Sequence, residues 1–245
     1  MQTEHASLTS MSSGRVALWT AVAAVLLLGA SGPLYQLGLW SLTSGYNGVR
    51  LAVGLAAIAL MPALVTLWMA VRVHSLRPLA AATLSLAIAL FTIIVPVHEA
   101  LRSRAAAPLH DVTTDLRNPP MFQALLDVQQ ASSQPRPVRL DTLQVRAYPD
   151  IGPLVLPVTL DMAFEEALET LSELDWPIAD GNEDEGLIEA TVHSPWFGFK
   201  DDLVVRLTPL EGQTRVDVRS VSRDGRDDGG RNAAHVREFL EELKR

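Results

Sequence analysis

The chain of 245 residues has no cysteine. That excludes disulfides, thiolate nucleophiles and cysteine-ligated metals; it fits either side of a membrane. There is no G-x-S-x-G turn, so Ser194, Ser220 and Ser222 have no elbow that would present a nucleophile. A Walker loop and a dinucleotide fingerprint are also missing. Acidic residues are nearly absent from the first part of the chain. Residues 1–108 hold only Glu4 and Glu99 against six arginines, a net charge of +4, whereas residues 109–245 hold 26 acidic and 14 basic residues, a net charge of −12. The acidic second part argues against nucleic acid as a main partner, because phosphate binding needs a net positive surface.

What the first part does contain is three uncharged apolar runs, Val16–Leu39, Leu51–Val71 and Pro78–Val97. Each has about the 20 residues that a helix needs to cross a hydrocarbon core. A helix satisfies its own backbone in lipid, so the runs predict three transmembrane spans. Gly54, Pro62 and Ala80–Ala82 are tolerable there, and small residues allow close helix contact. A cleaved signal peptide is the alternative for the first run, with Arg15 as its basic start and Leu26–Gly32 as the cleavage region. The run continues to Leu39, longer than a signal core. With no ionisable residue in any run, the mark that transport or proton relay leaves is absent, and an anchor is the simpler reading. Trp19, Trp40, Tyr46 and Trp68 fall near the run ends, where interfacial aromatics belong. Arg15, Arg72, His74 and Arg77 favour an inside N-terminus, although Arg102 and Arg104 then lie outside. This orientation places the C-terminal part in the periplasm of a bacterial inner membrane.

The expected organisation is an N-terminal tail (1–15), a three-helix membrane region (16–98), a linker (99–108) and a soluble domain (109–245). His110–Asp115 reads as an extended edge, and Met121–Gln129 as a short helix after Asn118-Pro119-Pro120. Pro135, Pro137, Pro149, Pro153 and Pro157 argue against regular structure in the following stretch. Phe164, Ala167, Leu168, Leu171 and Leu174 then recur at helical spacing, with Thr159 or Asp161 as cap. Alternation predicts strands at Pro177–Ala179, Leu187–His193, Leu203–Leu207 and around Val216 and Val218. A last helix starts near Asn232 and buries Val236, Phe239, Leu240 and Leu243. The predicted fold class is therefore an α-helical membrane region followed by an α+β two-layer domain, its antiparallel sheet of about four strands flanked by helices.

Three places carry candidate chemistry. The polar sheet face gathers Glu189, His193, Asp202, Arg206, Arg215, Asp217 and Arg219; its simplest reading is a solvated face with cross-strand ion pairs. The loop from Ser222 through Arg223, Arg226 and Asn232 has the glycines, arginines and helix N-terminus of an anion site, opposed by its own aspartates. Trp196, Phe197 and Phe199 form an aromatic turn beside Lys200, expected as a lid on the core or as a membrane or partner contact. His110 with Asp111 and Asp115 lacks a metal-ligand spacing and has no second histidine nearby, so no metal is expected.

The stretches HDVTTD (110–115), AYPDIGPL (147–154), WFGFKDD (196–202) and RVDVRSVSRDGRDDGGRNA (215–233) together resemble the family called domain of unknown function 1499, over residues 109–243. His235 departs from the basic residue that the resemblance leads one to expect. The resemblance implies a membrane-associated α+β module with no established activity, and it supplies no catalytic residues or cofactor. The leading expectation is a non-catalytic, membrane-anchored module that binds an envelope protein or an anionic headgroup through Trp196, Phe197, Lys200, Arg219, Arg223, Arg226 and Asn232. The competing class is a hydrolase or transferase built on His193, Asp201, Asp202 and Asp217, which requires those groups to share one cleft.

Overall fold

The structure is a computed structural model that describes residues 2–125, 138–223 and 228–245, with side chains described from Ser13 onward except that of Val138. Two compact units emerge. One comprises Met1–Leu101 with Pro195–Gly198, and the other Arg102–Ser194 with Phe199–Arg245.

The first unit is built on α1 (Gln2–Gln36), α2 (Leu42–Arg72) and α3 (Leu76–Ala105). Three segments, Ser13–Gln36, Leu42–Arg72 and Leu76–Ala105, are long and apolar enough to cross a membrane. Their packing is the inverse of a water-soluble bundle. Ala17, Ala21 and Ala24 of α1, Ala52, Ala56, Ala59 and Ala63 of α2, and Ala82 and Ala89 of α3 are buried, while Trp19, Leu26, Ile58, Trp68, Leu84 and Phe91 are exposed. Small residues let helix backbones approach, and large apolar side chains facing outward suit hydrocarbon rather than water. Ser13 and Thr66 share a hydrogen bond of 3.0 Å between their hydroxyls, which sets the α1–α2 register. Ser41 caps α2 by accepting the Ser44 N–H at 3.1 Å. The expected linker is helical through Ala105, because Arg102–Ala107 contains no breaker before Pro108.

The second unit is a six-stranded antiparallel sheet with helices, an open α+β arrangement of two layers. Its elements are β1 (Asp111–Thr113), α4 (Val138–Ala147), β2 (Leu154–Leu156), α5 (Leu160–Glu173), β3 (Ile178–Asn182), β4 (Leu187–His193), β5 (Lys200–Leu210), β6 (Gln213–Ser222) and α6 (Arg231–Glu242). The strand order is β1-β6-β5-β4-β3, and β2 joins β6 beside β1. The two strands beyond the expected four are short and share the outer edge of β6, β1 against Arg219–Val221 and β2 against Thr214–Val216. Strand alternation points Ile188, Ala190, Leu203, Val205, Val216 and Val218 at α5 and α6, where they meet Phe164, Ala167, Leu171, Val236 and Phe239.

Several expectations need correcting. The stretch rich in proline contains α4, which starts directly after Pro137 and packs Leu140 and Leu143 on the core. Proline is tolerated just before a helix and in its first turn, so counting prolines hid it. Gln144 of α4 is buried; its amide accepts the Thr113 N–H at 3.1 Å and donates to the Thr113 carbonyl at 2.6 Å. It thus completes the edge of β1, where no further strand pairs among the described residues. Met121–Leu125 is not helical, and the rest of the short helix expected to Gln129 lies outside the described residues. Asn232 is not the cap of α6. Gly230 holds the cap position at φ 88°, and Asp228, two residues earlier, accepts the N–H of Gly230 and of Asn232, both at 2.7 Å.

Candidate functional site

The polar sheet face is not solvated. Glu189, Asp202, Asp217 and Arg219 are each 2% exposed or less. The segment after β1 folds back across them, burying Phe122 against Val204 and Val221. Glu189 holds this cover by accepting the N–H groups of Gln123, Ala124 (3.1 Å) and Leu125 (2.8 Å). A buried charge is tolerable only when paired or hydrogen-bonded, and here each one is. Arg219 donates to both oxygens of Asp111, at 3.1 and 3.0 Å, and to the Pro120 carbonyl at 3.1 Å. Arg206 and Arg215 both reach Asp217 and Asp115, at 2.9–3.2 Å. Burial pushes the Asp115 carboxyl up. The Asn118 and Arg117 N–H groups and the charges of Arg215 and Arg206 outweigh it, and the carboxyl sits below its ordinary value.

Towards the other end of the same face, Arg223 donates to both oxygens of Asp202 and to Thr191 Oγ1 at 3.2 Å. Its N–H bonds the Lys200 carbonyl at 3.0 Å. His193 and Lys200 pair across β4 and β5, and both are exposed.

Asp201 is one residue from Asp202 and therefore on the opposite, helix-covered face. There it accepts from Ser222 Oγ at 2.7 Å and from Arg231 Nε at 2.9 Å. Asn232, also buried, donates to Ser222 Oγ (2.9 Å) and the His110 carbonyl (3.1 Å) and accepts from Ser220 Oγ (2.6 Å). His235 Nδ1 lies 3.8 Å from Asp201 Oδ2 and has no hydrogen-bond partner among the described residues. Burial pushes this imidazole below its ordinary value, the Asp201 charge opposing and the Arg231 charge reinforcing the shift. Burial also pushes the Asp228 carboxyl up, against the Asn232 and Gly230 N–H groups.

His193, Asp201, Asp202 and Asp217 are thus not brought together. The sheet separates Asp201 from Asp202, Asp217 lies four ladder positions from Asp202, and His193 is at the exposed strand end. Nor does the Ser222–Asp201–His235 cluster have the order of a catalytic triad. The serine proton goes to the carboxylate, and the imidazole is hydrogen-bonded to neither. Of the expected binding residues, Arg219 and Asn232 are buried in internal bonds, Arg223 is partly exposed, Lys200 is exposed, and Arg226 lies outside the described residues. Trp196 and Phe197 belong to the helical unit. Phe197 stacks on Tyr46 at 5.3 Å and meets Tyr35 at 6.0 Å. Gln36 donates to the Trp196 carbonyl at 2.7 Å, and a Cβ on Gly32 would fall 2.1 Å from that oxygen. Phe197 is therefore no lid on the sheet core.

Residues 111–243 match the model of a family described as "Protein of unknown function (DUF1499)". The match covers more than half of the chain. This chain belongs to that family. No curated protein matches it. Apart from Arg206, the internal ion pairs described above draw their residues from the stretches that carry the family resemblance: Asp111 and Asp115 from the first, Asp201 and Asp202 from WFGFKDD, and Arg215, Asp217, Arg219, Arg223 and Arg231 from the last. Sequence reading weighed Asp115, Arg231 and Asp228 without their partners: Asp115 meets Arg215 and Arg231 meets Asp201, both distant in sequence, whereas Asp228 acts locally on Gly230 and Asn232. It also missed a groove of about 730 Å³ lined by Val155, Glu166, Glu169, Glu173, Glu242 and Lys244. The i, i+3, i+7 spacing of the first three glutamates was the available signal.

Proposed function

We propose that the chain is a membrane-anchored, non-catalytic binding or envelope-associated module, with its domain on the periplasmic side of a bacterial inner membrane. The observation that carries this reading is the helical unit with small residues inside and large apolar residues outside, an arrangement that favours lipid as its solvent. The domain supports it through its charged groups, which neutralise one another instead of converging on an open cleft.

The binding surface that fits is the sheet end where β4 meets β5. There Lys200, His193 and the outer side of Arg223 are accessible, and Arg231 lies over the Phe199 ring at 5.3 Å. Lys200 with the accessible parts of Arg223 and Arg231 suits an anionic partner or headgroup.

The test is alkaline carbonate extraction of membranes, followed by protease treatment of intact spheroplasts. Retention in the pellet with digestion of the domain from outside is the expected result. Release by carbonate would overturn the anchor, and protection until lysis would overturn the periplasmic placement.

A further inference from the structure

One group of charges in the helical unit is handled unlike those of the sheet. Arg72 ends α2 and Arg77 stands at the start of α3, joined by a connection of three residues. That connection is fixed. His74 adopts φ 52°, and the Ser75 N–H closes onto the Ala70 carbonyl at 3.1 Å, a left-handed helix stop that holds both arginines at the same end. Both are exposed, as is Arg15 of α1. The Ser13–Thr66 bond puts Arg15 on this end as well, about two turns deeper than Arg72 by helix rise. A long arginine side chain can return that distance in part towards the surface.

None of these three guanidiniums has a carboxylate in ion-pair reach among the described residues. The first acidic side chain described along the chain is Glu99, at the other end of α3. Arg72 lies instead over the Trp68 indole, 5.0 Å from its centroid, and Trp68 and Trp19 are both exposed. Tryptophan settles at the headgroup level of a bilayer, so the stacked Arg72 is held at that depth with its remaining donors free. Guanidinium forks match phosphate oxygens.

We propose that this end of the helical unit binds the phosphate headgroups of anionic phospholipids, with Arg72 and Arg77 as the main contacts and Arg15 as a deeper third. The inference rests on the membrane reading above and assigns the headgroup contact to residues of the helical unit.

The test uses the full chain in detergent micelles, with native mass spectrometry of retained phosphatidylglycerol against phosphatidylcholine. Preferential retention of phosphatidylglycerol is expected, falling about fivefold for each guanidinium removed in R72A/R77A. R72K/R77K should keep most of the preference, since it keeps the charge. Arg237→Ala, which removes an exposed pair with Asp150, should leave it unchanged. Equal retention of the two lipids by the native chain, or an undiminished preference in R72A/R77A, would overturn the proposal. Carbonate extraction separates the two failures. A chain that pellets but shows no lipid preference loses only the headgroup site, whereas a chain released by carbonate loses the membrane reading as well.

Discussion

The arginines of the sheet and those at the Arg72–Arg77 end of the helices are the same side chain under opposite conditions. Arg206, Arg215, Arg219 and Arg223 each hold one or two carboxylates. Arg15, Arg72 and Arg77 hold none among the described residues. Where the domain removes water, a lone charge costs several kcal/mol, and sequence must supply its counter-ion. At a helix end, water or phosphate can do so, and no partner in the chain is needed. On the sheet, pairing therefore accompanies burial, while the exposed arginines of the helical unit are left to water or to the proposed headgroups.

Breaking the most buried pair should have the largest effect. Arg219→Ala leaves Asp111 buried without its cation and should cost about 3–5 kcal/mol, read as a lowered denaturation midpoint of the full chain in detergent. Replacing both partners, as Arg219→Met with Asp111→Leu, should recover most of that loss. If the double variant is no better than the single one, the cost lies in packing under Pro120 and not in the charge. Asp228→Ala removes both acceptors that close the N-terminus of α6 and should cost about 1–2 kcal/mol by the same measurement.

His235 gives a smaller effect with a defined sign. Its folded value is pushed below 6.5, so neutral imidazole is the form the fold accepts. The stability it contributes is fully present above pH 6.5 and is lost as pH falls through the lower folded value. His235→Phe should flatten that acid limb in a series of melting curves, and an unchanged limb would assign it to other groups. The smallest effect on stability belongs to Arg72→Ala, under about 0.5 kcal/mol, because it breaks no ion pair. A loss as large as that of Arg219→Ala would erase the contrast between the two regions.

Much of this was readable without coordinates. Uncharged runs of span length, strand alternation and the spacing of α5 and α6 are local patterns that a short window contains. α4 was hidden by the prolines before it, and β1 and β2 are too short to show a period. The candidate site was less legible. Glu189, Asp202, Asp217 and Arg219 point away from the core helices, and alternation alone reads such a face as wet. Its cover is Phe122 and its neighbours, distant in sequence and without periodicity.

What the sequence by itself determined is therefore the division into an apolar three-helix part and an acidic α+β part, together with which strand residues share a face, because backbone periodicity and hydrophobic transfer act along the chain. Only the tertiary structure decided that Asp201 and Asp202 pair with different arginines, Arg231 and Arg223, and that Phe197 packs among helix tyrosines. Those outcomes depend on partners brought close from far along the chain, and the cost of burying an uncompensated charge selects among them.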